Sequence, residues 1–286
     1  MSMKKTFTVV TGIILGSALL FAAGGKDAGT SSASKFSGTY TFGGSTTVQP
    51  IANVAIEQFV KANPKVKISY EGLGSGTGLK QLAEGTLSLA GSSRDLKDSE
   101  TAAGLIPTVI ARDAITVVVN KDISVANLSK DQLSGIYSGT IVNWKEVGGK
   151  DEPIVVVNRD ETSGTYGTFK ELVLDPGKLA FTKNAIVSKE NGEVAAKVAS
   201  SPGAIGYVGL GYVEQIVSAG GKALSINGIV PSVDTTLDGT YPLSRNLYMV
   251  TKGAPKAGSV EKAFIDYILS ARGKIIVKEA GFVPLK

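Results

Sequence analysis

The chain has 286 residues, 43% of them hydrophobic, with 30 Lys and Arg against 25 Asp and Glu for a net charge of +5. At about 100–200 residues per domain this gives one large domain or two modest ones, with enough apolar residues for a sizeable core. There is no His and no Cys, which excludes Ser-His-Asp and Cys-His catalysis, Cys or His zinc sites, His-ligated haem and disulfides; the lysines are scattered, without the basic run expected of a nucleic-acid binder.

In chain order, "MSMKK" supplies a positive start, "TFTVVTGIILGSALLFAA" an apolar stretch, and "GGKDAGTSSASK" a small, polar tether. Residues 1–35 therefore read as a signal sequence and flexible tether, and the protein as exported. A membrane-spanning helix is disfavoured, because the apolar stretch is interrupted by Thr11, Gly12, Gly16 and Ser17 and falls short of the roughly 20 residues a bilayer needs. "LLFAAGGKD" resembles a lipoprotein processing site in which Ala23 stands where a lipidated Cys is expected. Either the chain is secreted or an anchoring cysteine has been replaced.

From Lys35 onward, β-rich runs alternate with helical patterns. The expected strands are "TYTFGG", "VKISYEG", "LSLAGSS", "ITVVVN", "PIVVVNRD", "AIGYVG" and "NLYMVTKG", several of them Val/Ile runs of the kind buried on both faces. Helical spacing is clearest at Val48, Ile51, Ala52, Ala55, Ile56, Phe59 and Val60; further helices are expected at "LKQLAEG", "TYGTFKELVL", "GEVAAKVASSPG" and, as one long element, "SVEKAFIDYILSARGKIIVKEA". The alternation reads as α/β.

Three strand-to-helix turns share one composition: Gly44-Ser45-Thr46-Thr47, Gly74-Ser75-Gly76-Thr77-Gly78 and Thr162-Ser163-Gly164-Thr165. The first turn of a helix leaves backbone N–H groups unpartnered and carries partial positive charge, so it suits an anion, and Ser and Thr add hydroxyl donors. Any one such turn is more often an ordinary N-cap. Three together, one of them beside Arg159, supply the donor set that a tetrahedral oxyanion requires. A nucleotide phosphate loop fails on spacing, since Leu79 separates Gly78 from Lys80; the nucleophile-elbow pattern fails at both Ser75 and Ser163.

"GGSTTVQP", "GLGSGTG", "AGSSRDL", "NRDETSGT" and "YPLSRNLY", in this order, resemble the phosphate-binding proteins that serve bacterial ABC-type phosphate importers, over nearly the whole chain after the tether. The resemblance implies a two-lobed periplasmic-binding-protein fold with two crossing hinge strands, near Asp113 to Val119 and Tyr241 to Met249, and a ligand cleft between the lobes. The expected organisation is lobe 1 over 36–114 and 241–286, with lobe 2 over 115–240. The implied function is capture of inorganic phosphate outside the cytoplasm, in the periplasm or at the outer face of the membrane, by a monomer that passes it to permease subunits, with no catalysis, metal or cofactor.

The resemblance carries phosphate contacts onto Ser45, Thr46, Thr47 and Ser75 of one lobe and Arg159, Ser163, Gly164 and Thr165 of the other, with Glu161 pairing the arginine. At "GSSRD" the chain departs from well-known members: Ser93 occupies the position of an aspartate, and Arg94 adds a cation that either lines the cleft or pairs at the surface with Asp95 or Asp98. The phosphate's proton is then expected to meet another acid, from among Asp95, Asp160 and Glu161. Trp144, Tyr137, Tyr207 and Tyr212 read as packing or partner-surface residues, and Asp151 and Glu152 lack metal-ligand spacing. Two other readings stay open: a binding protein for sulfate or molybdate, and an exported phosphatase.

Overall fold

The structure, a computed structural model, describes residues 36–286; the expected leader, tether and processing site at Ala23 lie outside the described residues. Strand β1 (Gly38–Gly44) leads into helix α1 (Gln49–Ala62), followed by β2 (Val66–Gly72), α2 (Ser75–Glu84), β3 (Leu89–Ser92) and the long β4 (Leu105–Val119). After a helical and loop segment come β5 (Val155–Arg159), α3 (Gly164–Phe169), β6 (Ile186–Ser188), α4 (Asn191–Ser200) and β7 (Ala204–Gly209). Strand β8 (Ser244–Lys252) returns the chain to helices α5 (Val260–Leu269) and α6 (Ala271–Glu279).

Hydrogen bonding orders these strands β2-β1-β3-β8-β4-β7-β5-β6. The pairs β1–β2, β1–β3, β5–β7 and β5–β6 are parallel, as strand–helix–strand units require, while β4 and β8 run antiparallel to each other and to their outer neighbours. The first half of β4 pairs with β8 as far as Ala114↔Ser244, and from Ile115↔Gly209 it pairs with β7. One strand thus passes from one sheet region to the other.

The apolar residues divide with it. One core gathers Phe42, Ile51, Phe59, Leu247, Phe264, Ile276 and Phe282, from both ends of the described chain. A second gathers Ile115, Val117, Tyr137, Trp144, Phe169, Ile205, Tyr207 and Leu243, and two smaller clusters, around Val157 and Val194 and around Leu79 and Val250, complete the packing. The fold is α/β and two-lobed, with β4 and β8 crossing between the lobes. Helix α1 shows why the pattern folds this way: Ile51, Ala52, Ala55, Ile56 and Phe59 form its buried stripe, and Asn63 closes it by donating from Nδ2 to Phe59 O at 2.9 Å.

Three elements differ from the sequence reading. Strand β4 begins already at Leu105; Pro107 is tolerated there because only β8 pairs with that part of the strand. The helix expected from Thr165 to Leu174 has six α-helical residues and then widens into π-helical turns over Lys170–Leu174. The C-terminal helix is two helices, because Ser270 is extended (φ −67°, ψ 167°) and its Oγ accepts the Gly273 N–H at 3.2 Å, capping α6.

Candidate anion-binding site

The three small-residue turns meet where the lobes face each other. Ser45, Thr46, Thr47, Ser75, Ser93, Arg159, Ser163 and Thr165 are all buried, none more than 4% exposed. Burial of so many hydroxyls demands partners, and the partners cross between the lobes. Thr46 Oγ1 accepts from Arg159 Nη2 at 3.1 Å, Thr47 Oγ1 lies 3.1 Å from Thr165 Oγ1, and Thr168 Oγ1 donates to Ser93 O at 3.3 Å. Gly76 N donates to Thr162 O at 2.8 Å.

Backbone geometry at two glycines makes this approach possible. Gly74, at φ +80°, adopts a conformation costly for other residues, and a Cβ there would sit 2.9 Å from Thr162 O. A Cβ on Gly164 would sit 2.3 Å from Ser75 Oγ and 2.6 Å from Ser93 Oγ. Gly164 and Thr165 open α3, so their N–H groups have no acceptor within the helix, while Ser163 caps it by accepting the Tyr166 N–H at 3.3 Å. Ser45 closes the turn that leads into α1, its Oγ accepting from Thr47 N at 3.1 Å and Val48 N at 3.3 Å.

Arg159 is the main cation of this cluster. It is 2% exposed; Nη2 donates to Thr46 Oγ1 and to Lys189 O at 2.7 Å, while Nε and Nη1 are buried with no partner among the described residues. Burial pulls its pKa down to about 10, with Arg245 nearby adding to the effect and Tyr207 opposing it, so it stays charged near neutral pH. Two unpartnered guanidinium N–H groups beside several hydroxyls are an unmet demand for an acceptor carrying negative charge.

Several expectations need correction. Glu161 is exposed and forms no ion pair with Arg159 among the described residues, because the guanidinium is drawn inward to Thr46 and Lys189 O. Arg94 is buried, but its two terminal nitrogens are held by the Glu100 carboxylate at 2.8 and 2.7 Å and by Asp95 O, so it pairs with neither Asp95 nor Asp98 through their side chains. Burial pushes the Glu100 carboxyl up, but its bonds to Arg94 and Lys97 N outweigh this and hold it below the usual range. Asp95 accepts the Tyr248 hydroxyl, and Asp160 accepts Thr162 N at 2.8 Å and Thr162 Oγ1 at 2.6 Å. The acids expected to meet the ligand's proton are thus engaged locally or exposed.

Sequence reasoning missed Arg245, Asp113 and Asn191. Arg245 Nη1 donates to Ser93 O at 3.0 Å and Thr165 Oγ1 at 2.9 Å, Nη2 reaches Thr47 Oγ1 at 3.4 Å, and Nε donates to Asp113 Oδ2 at 2.8 Å. Asp113 also accepts Leu210 N at 2.8 Å; burial pushes its carboxyl up, against the pull of Arg245 and that N–H. Asn191 Nδ2 donates to both Thr46 Oγ1 and Thr47 Oγ1 at 3.1 Å, with its Oδ1 accepting Gly209 N at 3.2 Å. An acid inside the Val/Ile run of β4 and an arginine in "YPLSRNLY" were legible signals; Asn191 in "KENGEVAAK" looks like any helix start. Trp144 packs in the core, its Nε1 donating to Gly203 O at 2.9 Å, and Tyr137 and Tyr207 pack beside it.

Residues 29–272 match the family model described as a PBP superfamily domain. Phosphate-binding protein PstS of Borreliella burgdorferi is 38% identical over 86% of this chain and 90% of its own length, and PstS of Bacillus subtilis 35% identical over 99% and 95%. The chain belongs to the PstS family of phosphate-binding proteins. Among solved structures, one from Clostridium perfringens, assigned as a phosphate ABC transporter substrate-binding protein and holding bound phosphate, is 33% identical with a TM-score of 0.80, covering 87% of this chain and 100% of that one. An ABC-type phosphate transport receptor from Vibrio cholerae is 31% identical with a TM-score of 0.72, over 86% of this chain and 100% of its own. Membership fits the geometry: the buried hydroxyls and Arg159 lie where the lobes of this two-lobed family meet.

Proposed function

We propose that this protein captures one inorganic phosphate between its lobes and delivers it to the permease subunits of an ABC-type phosphate importer, acting outside the cytoplasm as an exported monomer. The observation that carries this reading is the pair of buried, unpartnered Arg159 nitrogens, Nε and Nη1, among hydroxyls contributed by both lobes. Thr46, Thr47, Ser75 and Ser93 approach the ligand from one side; Arg159, Ser163, Gly164 and Thr165 approach from the other. Each hydrogen bond to a charged group contributes about 1.5–3 kcal/mol net, so four or five suffice for the roughly 8 kcal/mol of micromolar binding after closure costs.

Lobe 1 is taken as residues 36–114 and 241–286 and lobe 2 as residues 115–240, with β4 and β8 as the hinge. Ligand bridging the lobes biases them toward the closed form that the permease recognises. Export rests on the basic-then-apolar start of the sequence, and whether a lipid holds the protein at the membrane turns on position 23. Among the described residues no helix is long and apolar enough to cross a membrane. Without His or Cys the chain has no Ser-His-Asp or Cys-His nucleophile, which supports binding over hydrolysis.

Calorimetric titration of phosphate into ligand-stripped protein tests the proposal. One phosphate per chain, a melting temperature that rises with phosphate by mass action, and no turnover of a phosphomonoester are the expected results. Sulfate or molybdate binding more tightly than phosphate would overturn it, as would hydrolysis well above background.

A further inference from the structure

Thr46 O is an acceptor that its own helix cannot serve. Helical bonds run from Gln49 N to Ser45 O at 3.1 Å and from Ala52 N to Val48 O at 3.0 Å, so the N–H in register with Thr46 O would belong to the residue at position 50. That residue is Pro50, in the first turn of α1, and it has no N–H. Thr46 is 4% exposed, so its carbonyl needs a partner from elsewhere.

The partner comes from the other lobe. Tyr212 Oη donates to Thr46 O at 2.7 Å, and no other donor reaches that oxygen among the described residues. The segment Gly209-Leu210-Gly211 brings Tyr212 close enough, since a Cβ on Gly209 would sit 2.8 Å from Thr47 Cγ2 and one on Gly211 would sit 2.4 Å from Ala280 O. The Tyr212 ring packs against both the Phe42 core and the cluster around Val157 and Val194. Packing thus accounts for the ring and leaves the hydroxyl with a separate task. Burial raises its pKa, with Arg159 nearby opposing, so it remains a donor near neutral pH. A similar bond within lobe 1, from Tyr70 Oη of β2 to Ser45 O at 2.9 Å, falls on a carbonyl that Gln49 N already serves.

We infer that Tyr212 is a positioning residue for phosphate binding: its hydroxyl serves the carbonyl that Pro50 leaves open, so that the lobes close over the ligand without burying an unpaired acceptor. The inference rests on the proposed phosphate reading. Arg159, Asn191 and Tyr212 all belong to lobe 2 and all grip Thr46, the first two at Oγ1 and Tyr212 at the backbone. A movement that parts Thr46 from Arg159 to release phosphate parts it from Tyr212 too, and water then serves the carbonyl. Closing without the hydroxyl gives up that water for nothing, which penalises the closed form and spares the open one.

The test compares Tyr212→Phe, Pro50→Ala, the double variant and Tyr70→Phe by calorimetric titration of inorganic phosphate, release of radiolabelled phosphate in a chase, and thermal melting of the ligand-free protein. Tyr212→Phe keeps the ring and should weaken binding about ten- to a hundredfold, the range for one buried carbonyl left unpaired. The loss should lie in faster release, with the association rate unchanged. Pro50→Ala puts an N–H in register with Thr46 O, so the double variant should recover most of the affinity and the slow release. Lost packing at position 212 would not be repaired from position 50. Tyr70→Phe should leave release close to the parent's, because Ser45 O keeps Gln49 N. If Tyr212→Phe does not fold, the double variant is read against Pro50→Ala alone, and equal affinities are expected. Parent affinity retained in Tyr212→Phe, a loss that Pro50→Ala does not repair, or unequal affinities in that second comparison overturns the inference while leaving phosphate binding intact. No phosphate binding by the parent overturns the functional reading and the inference with it.

Discussion

Arg245 Nε and Asp113 Oδ2 lie 2.8 Å apart, both side chains buried where β8 and β4 cross between the lobes. Removing one member of a buried ion pair leaves an uncompensated charge, a loss of about 3–5 kcal/mol, whereas replacing both by apolar groups of similar size is far milder. Asp113→Ala and Arg245→Ala should each lower unfolding stability by about that amount in urea titrations. Asp113→Leu combined with Arg245→Met should recover much of the loss in stability but not the phosphate affinity, because Thr47 and Thr165 would lose their donors. Recovery of both would mean that Arg245 serves the fold alone.

Arg159 and Trp144 are both buried, yet they should separate affinity from stability. Arg159→Ala is expected to weaken phosphate binding by about 30-fold to several thousand-fold, the equivalent of roughly 2–5 kcal/mol for truncating a buried charged donor. Trp144→Phe leaves Gly203 O without its 2.9 Å partner, at about 1–3 kcal/mol of stability, with affinity unchanged. Calorimetry and thermal melting on the two variants give the comparison. Equal losses of affinity would mean that Arg159 does not hold the phosphate.

Gly164→Ala tests closure. The added methyl would lie 2.3 Å from Ser75 Oγ, a side chain on the opposite lobe. Phosphate affinity should fall at least tenfold, about 1.4 kcal/mol, while the melting temperature of the ligand-free protein holds. Small-angle scattering should show the variant failing to compact when phosphate is added.

The Arg94–Glu100 pair gives a pH-dependent contribution to stability. Glu100 is held below the ordinary carboxylate value of 4.5 in the folded state, so folding favours its ionised form. The stabilisation is present above about pH 4.5 and is lost as pH falls through the lowered folded pKa. Glu100→Gln should therefore lower stability by roughly 1 kcal/mol at neutral pH, and the gap from the parent should close as acid is added. A gap that widens in acid would reverse the assigned sign.

The strands and the buried stripe of α1 were legible because their signals are local: period-two or continuous apolar runs, and a 3.6-residue spacing. Turn composition likewise marked Thr46, Ser75, Ser163 and Thr165. What escaped was set by long-range contact. Glu161 stands two residues from Arg159 in sequence, yet it is exposed, while the partners of Arg159 come from Thr46 and Lys189. Arg94 sits within a short run of charges, and only the fold chooses Glu100 over Asp95 or Asp98. Asn191 is invisible as a site residue until α4 is docked so that its amide meets two threonines from α1's leading turn.

The way each core is recruited also orders its assembly. The core holding Tyr137, Trp144 and Tyr207 draws on residues 114–243, an uninterrupted stretch that can close on itself once it is available. The core around Phe42 packs that ring against Phe264 in a tilted contact, with ring centroids 5.2 Å apart, and so requires the two ends of the described chain to find one another. Contacts of such sequence separation form slowly because a long loop must be closed first. On a chain emerging end-first from a ribosome or a translocation pore, the internal lobe can therefore be complete while the lobe that begins the fold still waits for its last helices. A nascent chain stopped before β8 should protect Trp144 from quencher and leave Phe42 and Phe59 open to chaperones, which makes the C-terminal helices the closing step of biogenesis.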